Sequence, residues 1–318
     1  MIPIIDLELV TNGSIDDRRR VANDIDRACR KVGFFGVVGH GVGEATISEL
    51  HRQALAFFDL TLDERLSVAM PEPGYPYGYS PIAAESLNRS IGGAAAPDAK
   101  ETFNIGPIDP PPRPLDEMDD PDERAVYAAN LWPDALPGLR PAAEQYYRAM
   151  SRLSGHIMEG LAMALDFPGD TFEPLIDRHA SALRLAHYPA LGDGPIPDGQ
   201  FRAGAHTDYG TLTVLWTDDQ PGLQVLLPED GWTDVQPVDG GFIVNLGDLM
   251  ARWTNDRWRS TMHRVVPGTG RRLSIPFFHN ANWDAHIDCI MHGNERARYP
   301  PTTAGRHLME KFHSTQSS

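Results

Sequence analysis

The chain has 318 residues, 41% hydrophobic and 23% charged, with a formal net charge of −16. That charge argues against nucleic acid and anionic membranes as partners, since both are bound through basic surface. No apolar run approaches the roughly 18 residues that span a bilayer, the opening "MIPIIDLELVTNGSIDD" lacks the basic region of a signal peptide, and Cys29 and Cys289 make no disulfide framework, so a reducing cytoplasm is the expected home.

In chain order, "IPIIDL" (2–7) reads as a short strand. Ser14 then caps an amphipathic helix over 15–31, with Val21, Ile25, Ala28 and Val32 along one stripe. "GFFGVVGH" (33–40) is a glycine-bounded strand, 43–60 a helix, and 61–70 a shorter helix opened by Thr61. Residues 71–81 are rich in turn formers, 90–106 have no clear period, and 107–138 read as surface loops with a helical piece near 122–130. The strongest helix is 140–167, where Leu153, Ile157, Leu161 and Leu165 recur at helical spacing. From 181 the texture changes to strands at 182–189, 210–217, 222–227, 241–247, 260–266 and 272–280, separated by Gly and Pro turns in the manner of an all-β barrel or sandwich. A helical tail near 302–313 follows. We expect one domain over 1–318: an N-terminal helical and strand region (1–180), a β core (181–285) and a C-terminal tail (286–318).

"AHTDYGTLTVLW" (205–216) sets His206 and Asp208 one residue apart at the mouth of a strand. On an extended chain residues i and i+2 share a face, so an imidazole and a carboxylate can aim at one point. A second such pair, His286 and Asp288, has no supporting hairpin after it and is expected to be structural. "STMHRVVPGTGRRLSIPFF" (260–278) looks like a hairpin turning at 267–270, which would pair His263 with Ser274 and put His263, Arg272 and Ser274 on one face. Two histidines and a carboxylate form the facial triad of non-haem iron(II), with three positions left open. Zinc hydrolases can use the same ligands, but their helical HExxH signature is absent. Arg272 and Ser274 add a two-point seat for a carboxylate.

With these elements in order, the sequence resembles the iron(II)/2-oxoglutarate-dependent oxygenases, in the branch similar to isopenicillin N synthase. The matching residues are His206-x-Asp208, His263 and Arg272-x-Ser274, with "YPAL" (188–191), "NLGDLMARWTNDRWRSTMHRV" (245–265), "IPIIDL" and "VGFFGVVGHGV" beside them. The resemblance covers nearly the whole chain, least over 71–140. It implies a mainly β fold with flanking helices, built on a double-stranded β-helix (jelly-roll) core. It also implies Fe(II), 2-oxoglutarate and dioxygen as the reactants around the site. His206, Asp208 and His263 would be the metal ligands, and Arg272 and Ser274, helped by Tyr188, would hold 2-oxoglutarate. Decarboxylation to succinate would drive oxidation of an unactivated C–H bond of a small molecule: hydroxylation, desaturation or cyclisation. An iron(II) oxidase that uses no 2-oxoglutarate, like isopenicillin N synthase, keeps the same motifs and is the alternative. Many plant members carry Asn where Ala186 stands, so one co-substrate contact is expected to be missing or replaced. Asp208 is present, which argues against a halogenase.

Phe103 and Asn104 follow the least-matched region, where the family puts substrate contacts, and are the candidate substrate residues. Asn245, Asp248 and Asn255 are expected to fix turns. His40, His187 and His279 are expected to be packed or on the surface. The acidic run 116–123 is expected to be a solvated face.

Overall fold

The structure, a computed structural model, describes residues 2–72, 74–82, 98–190 and 200–316. Leu191, which closes the segment 188–191, and residues 90–97 lie outside the described residues. The strands, in chain order, are β1 (Ile4–Asp6), β2 (Phe34–Val38), β3 (Gly78–Ser80), β4 (Glu101–Ile105), β5 (Ala182–Tyr188), β6 (Ala203–His206), β7 (Leu212–Thr217), β8 (Leu223–Leu227), β9 (Gly231–Asp234), β10 (Phe242–Leu246), β11 (His263–Val265), β12 (Arg272–His279), β13 (His286–Ile287) and β14 (Thr302–Thr303). The helices are α1 (Glu8–Thr11), α2 (Ile15–Lys31), α3 (Glu44–Phe58), α4 (Leu62–Leu66), α5 (Pro121–Val126), α6 (Leu139–Ala164), α7 (Glu173–Ile176), α8 (Asp248–Trp253) and α9 (Ala304–Gln316). Among the described residues no helix is long and apolar enough to cross a membrane.

An eight-stranded sheet runs β1-β2-β10-β7-β12-β5-β4-β3, and a four-stranded sheet runs β6-β11-β8-β9. They face each other as the two walls of a jelly roll. Alternation gives the large sheet two different faces. One carries Phe103, Leu183, Leu185, Leu273, Ile275, Phe277 and Val214, all buried in the principal core cluster against the helical layer. The other carries Thr102, Asn104, Arg184, Ala186, Tyr188, Arg272, Ser274, Thr213 and Asn245, aligned by the cross-strand register. Apolar contacts close the gap between the sheets: Phe34 and Ile243 meet Leu223 and Val225, and Ala186 and Tyr188 meet Ala203 and Val265.

The helical layer forms where local sequence and packing agree. A capping box joins Ser14 and Asp17 at the start of α2, and Val21, Ile25 and Ala28 are buried along it. Helix α6 turns Leu153, Ile157 and Leu161 into the core, each 0–1% exposed, and each such burial contributes about 1.5–3 kcal/mol. Gly160 lets α6 approach α2: a Cβ there would sit 2.8 Å from Ile25 Cδ1.

One expectation is corrected here. Strands β11 and β12 do not form a hairpin. β11 pairs with β6 and β8, whereas β12 pairs with β5 and β7, so 266–271 crosses from the small sheet to the large one. The periodicity of both strands is readable, but periodicity does not say which sheet a strand joins. The larger sheet draws on both halves of the chain, since β1 to β4 supply four of its strands.

Candidate metal centre and co-substrate pocket

His206 ends β6 and His263 begins β11, and the two are direct cross-strand partners with ring centroids 4.3 Å apart. Asp208 lies in the link from β6 to β7, where the chain passes from the small sheet to the large. His206 and Asp208 therefore converge across a sheet-to-sheet turn rather than along one extended strand. Close backbone approach fixes that turn. The Asp248 amide donates to the Asp208 carbonyl at 2.8 Å, and a Cβ on Gly247 would lie 2.2 Å from the Gly210 carbonyl oxygen.

His206, Asp208 and His263 offer ligand atoms that all lie within 4.8 Å of one another. Asp208 Oδ1 is 3.8 Å from Nε2 of each histidine. The remaining donors and acceptors are occupied in a way that leaves those three atoms facing inward. His206 Nδ1 bonds the Gly204 carbonyl at 2.8 Å and His263 Nδ1 the Thr261 carbonyl at 3.1 Å, which puts the proton on Nδ1 and the lone pair on Nε2. Asp208 Oδ2 accepts from Asn245 Nδ2 at 2.7 Å and from the Thr213 hydroxyl. Burial, reinforced by the neighbouring His263, pushes the His206 pKa down to about 3. Burial acts to raise the Asp208 pKa, but both imidazoles and the bonds from Asn245 and Thr213 outweigh it and hold the carboxyl below the usual range. A neutral imidazole beside an ionised carboxylate is the protonation state that metal binding requires.

The wall formed by β5 and β12 carries the second cluster. Arg272 pairs with Tyr188, and Ser274 with Ala186. Arg272 is 1% exposed, and its guanidinium lies 5.0 Å from the Tyr188 ring centroid. Its Nε donates to the Gln220 carbonyl at 3.3 Å, while Nη1 is buried with no hydrogen-bond partner among the described residues. The Ser274 hydroxyl donates to the Tyr188 hydroxyl at 3.4 Å. A buried, unsatisfied guanidinium nitrogen is costly, and a carboxylate would complete it together with the two hydroxyls.

Of the two candidate substrate residues, Asn104 faces the barrel, where its side-chain oxygen accepts from Arg184 Nε at 2.7 Å. Phe103 does not: it is 0% exposed on the helix-facing side, packed against Phe57 and Trp132. Adjacent residues on a strand take opposite faces, so both could not line the pocket. His286 and Asp288 are exposed and pair with each other, at 3.2 Å.

Several residues around the site carry no clear signal in the sequence. Asn245 and Thr213 support Asp208. Asp98 Oδ1 accepts the Gly204 amide at 2.9 Å, and Asp98 pairs with buried Lys100 at 2.9 Å, behind the strand that carries His206. Arg202 is 2% exposed and donates to the carbonyls of Gly268 and Gly270, pinning the crossover that delivers Arg272. Period-two alternation could have flagged Asn245, which lies on the barrel face of its strand.

Residues 2–135 match the family described as non-haem dioxygenase in morphine synthesis N-terminal, and residues 179–281 match the 2OG-Fe(II) oxygenase superfamily. The chain is 32% identical over 314 residues to the 2-oxoglutarate-Fe(II) type oxidoreductase hxnY of Emericella nidulans, covering 95% of this chain and 86% of that protein. It is 33% identical over 330 residues to Homoarginine-6-hydroxylase 2-ODD-233 of Oryza sativa subsp. japonica, covering 98% and 96%. Among solved structures, a full-length Neurospora crassa protein in complex with alpha-KG and thymine superimposes with a TM-score of 0.85 at 29% identity, covering 99% and 97%. Two family matches, relatives aligned over nearly their full length and a shared jelly roll agree: the chain belongs to the 2OG-Fe(II) oxygenase superfamily, enzymes that work with iron(II) and 2-oxoglutarate.

Proposed function

We propose that the protein oxidises an unactivated C–H bond of a small molecule, by hydroxylation, desaturation or cyclisation, in a cycle that consumes 2-oxoglutarate and dioxygen. His206, Asp208 and His263 hold the metal through Nε2, Oδ1 and Nε2. Arg272, Ser274 and Tyr188 hold the distal carboxylate of 2-oxoglutarate, and Asn104 contacts the substrate. The observation that carries this reading is the buried Arg272 Nη1, without a hydrogen-bond partner among the described residues, on the wall beside the triad. It offers the distal carboxylate of 2-oxoglutarate a seat; because the oxidase alternative keeps the same Arg-x-Ser pair, what favours 2-oxoglutarate as the occupant is the name of the Emericella relative and the alpha-KG held by the Neurospora protein. The iron, when bound, supplies the activation of dioxygen. The chain's own part is geometric and electrostatic. Asn245 and Thr213 fix which Asp208 oxygen turns inward, the Gly204 and Thr261 carbonyls fix the imidazole tautomers, and burial keeps the His206 ring neutral. A small-molecule substrate is in keeping with the homoarginine of the rice relative's name and the thymine bound to the Neurospora protein. A reducing cytoplasm suits a ferrous enzyme.

The test is succinate release from 2-oxoglutarate across a panel of small metabolites, with iron titrations in parallel. His206→Ala and His263→Ala are expected to lose both turnover and tight iron binding while keeping the wild-type circular dichroism spectrum. Either variant retaining full iron-dependent activity would overturn the ligand assignment. Wild-type protein that oxidises a substrate with no succinate formed would favour the oxidase alternative.

A further inference from the structure

Outside the barrel, a cavity of about 860 Å³ opens where the C-terminal end of α2, the segment that follows α8 and helix α9 meet. None of the triad lines it, nor does Arg272. Its size lies within the range of small-molecule sites, ~300–1,000 Å³.

The charges on its wall do not cancel. The carboxylates are already taken: Asp248 by Lys311 at 2.7 Å, Asp256 by Arg298 at 3.0 Å and Glu310 by Arg306 at 2.8 Å. Arg30 and Arg257 share Asp26, at 2.7 and 3.1 Å. Among the described residues this leaves Lys31, Arg252 and Arg259 on the wall with no carboxylate within ion-pair distance. In a chain of net charge −16 such a concentration of uncompensated cations is local. Hydrogen bonding points the same way. Among the described residues Arg252 Nε, Ser260 Oγ and His307 Nε2 are buried without a hydrogen-bond partner, and His307 is 4% exposed. Arg252 is also held in place: its Nη2 donates to the Pro300 carbonyl at 2.7 Å and its guanidinium lies 5.1 Å from the Tyr299 ring centroid. Buried polar groups are nearly always satisfied, and a guanidinium fork is matched by a carboxylate or phosphate.

The same wall reaches the metal centre from behind. Asp248 lines the cavity; its amide donates to the Asp208 carbonyl at 2.8 Å, and its carboxylate accepts from Thr207, between His206 and Asp208, at 3.1 Å. Thr261 also lines the cavity, and its carbonyl is the 3.1 Å partner of His263 Nδ1.

We propose that this cavity is a second ligand site, for a small metabolite bearing an oxyanion group, and that its occupancy is transmitted to the metal centre through Asp248 and Thr261. Phosphate and carboxylate present the same chemistry to these side chains, so both probes are needed. Coupling of this kind requires only that the anion favour one arrangement of the shared hydrogen bonds over another.

The experiment is calorimetric titration of inorganic phosphate, and separately of succinate, into the iron-loaded protein under anaerobic conditions. Saturating 2-oxoglutarate keeps Arg272 occupied. The iron-to-2-oxoglutarate charge-transfer band is followed in the same samples. The wild type is expected to bind one anion per chain and to shift the band. Arg252→Gln with Arg259→Gln should weaken anion binding at least about tenfold, as expected for lost charge-assisted bonds, and leave 2-oxoglutarate affinity unchanged. Lys31→Gln, a milder change on the exposed rim, is expected to weaken it in the same direction should the double variant fold poorly. Binding of phosphate alone assigns a phosphate ester, and of succinate alone a carboxylate. No binding of either probe, or equal binding by wild type and variants, overturns the site. Binding that leaves the band unmoved overturns the coupling.

Discussion

Asn245 Nδ2 donates to Asp208 Oδ2 at 2.7 Å, while Asp208 Oδ1 stays 3.8 Å from both imidazole Nε2 atoms. The amide thus divides the carboxylate into a held oxygen and a free one. Partners of this kind typically affect metal affinity by about 10–100-fold. Asn245→Ala is expected to weaken iron binding within that range and leave the 2-oxoglutarate requirement of the fully loaded enzyme nearly unchanged, as read by paired titrations of metal and co-substrate.

Arg272→Lys keeps a positive charge and loses the fork. Loss of such charge-assisted bonds costs about 1.5–3 kcal/mol, which corresponds to a roughly ten- to hundredfold rise in the 2-oxoglutarate concentration needed. Iron affinity should not move. The anaerobic charge-transfer titration decides: a band that forms equally tightly in wild type and variant removes Arg272 as the anchor.

Glu101 lies on the helix side of β4, behind the barrel-facing wall that carries Tyr188 and Arg272. It accepts from the Tyr79 hydroxyl at 2.5 Å, bonds His187 Nδ1 at 2.7 Å and pairs with Arg65. Arg271 Nε in turn donates to His187 Nε2 at 2.8 Å. Removing one partner from a buried ionic network costs about 3–5 kcal/mol. Glu101→Gln is expected to lose stability on that scale in denaturant unfolding. His187 and Arg271 immediately adjoin Tyr188 and Arg272, so a higher KM for 2-oxoglutarate should accompany the loss.

Burial, with Lys311 nearby, lowers the His307 pKa from 6.5 to about 4. The folded state therefore binds its proton less readily than the unfolded chain does. The stability tied to neutral His307 is fully present above pH 6.5 and is lost as pH falls towards 4, a change of roughly 3 kcal/mol in total. His307→Gln should flatten that part of the stability–pH curve measured by chemical denaturation at several pH values. An unaltered curve would mean that His307 does not control it.

The triad is legible because two histidines, a carboxylate and an Arg-x-Ser pair stand in a characteristic order along strands whose periodicity is clear. The route by which they meet is not. His206 and Asp208 lie on either side of a passage between sheets, and β11 and β12 belong to different walls, which no local pattern records. Strand β4 escapes the sequence for a different reason. "ETFNI" alternates, but its polar residues Thr102 and Asn104 are as buried as its apolar ones because they face the barrel interior, so the usual contrast between inside and outside disappears. Asn245 resembles a turn residue because a buried amide supporting a carboxylate has the same composition as a loop.

Strand β4 comes from the N-terminal part of the chain and β5 from the C-terminal part, yet they share five register pairs, with Asn104 opposite Arg184. Each contributes a neighbouring portion of one continuous surface. A chimera that joined residues before 180 from one homologue to residues after it from another would thus cut through this barrel-facing wall rather than between modules. Substitutions at positions paired across β4 and β5, such as Asn104 and Arg184, therefore have to be made as matched sets, and a library that varies this surface should vary both strands together.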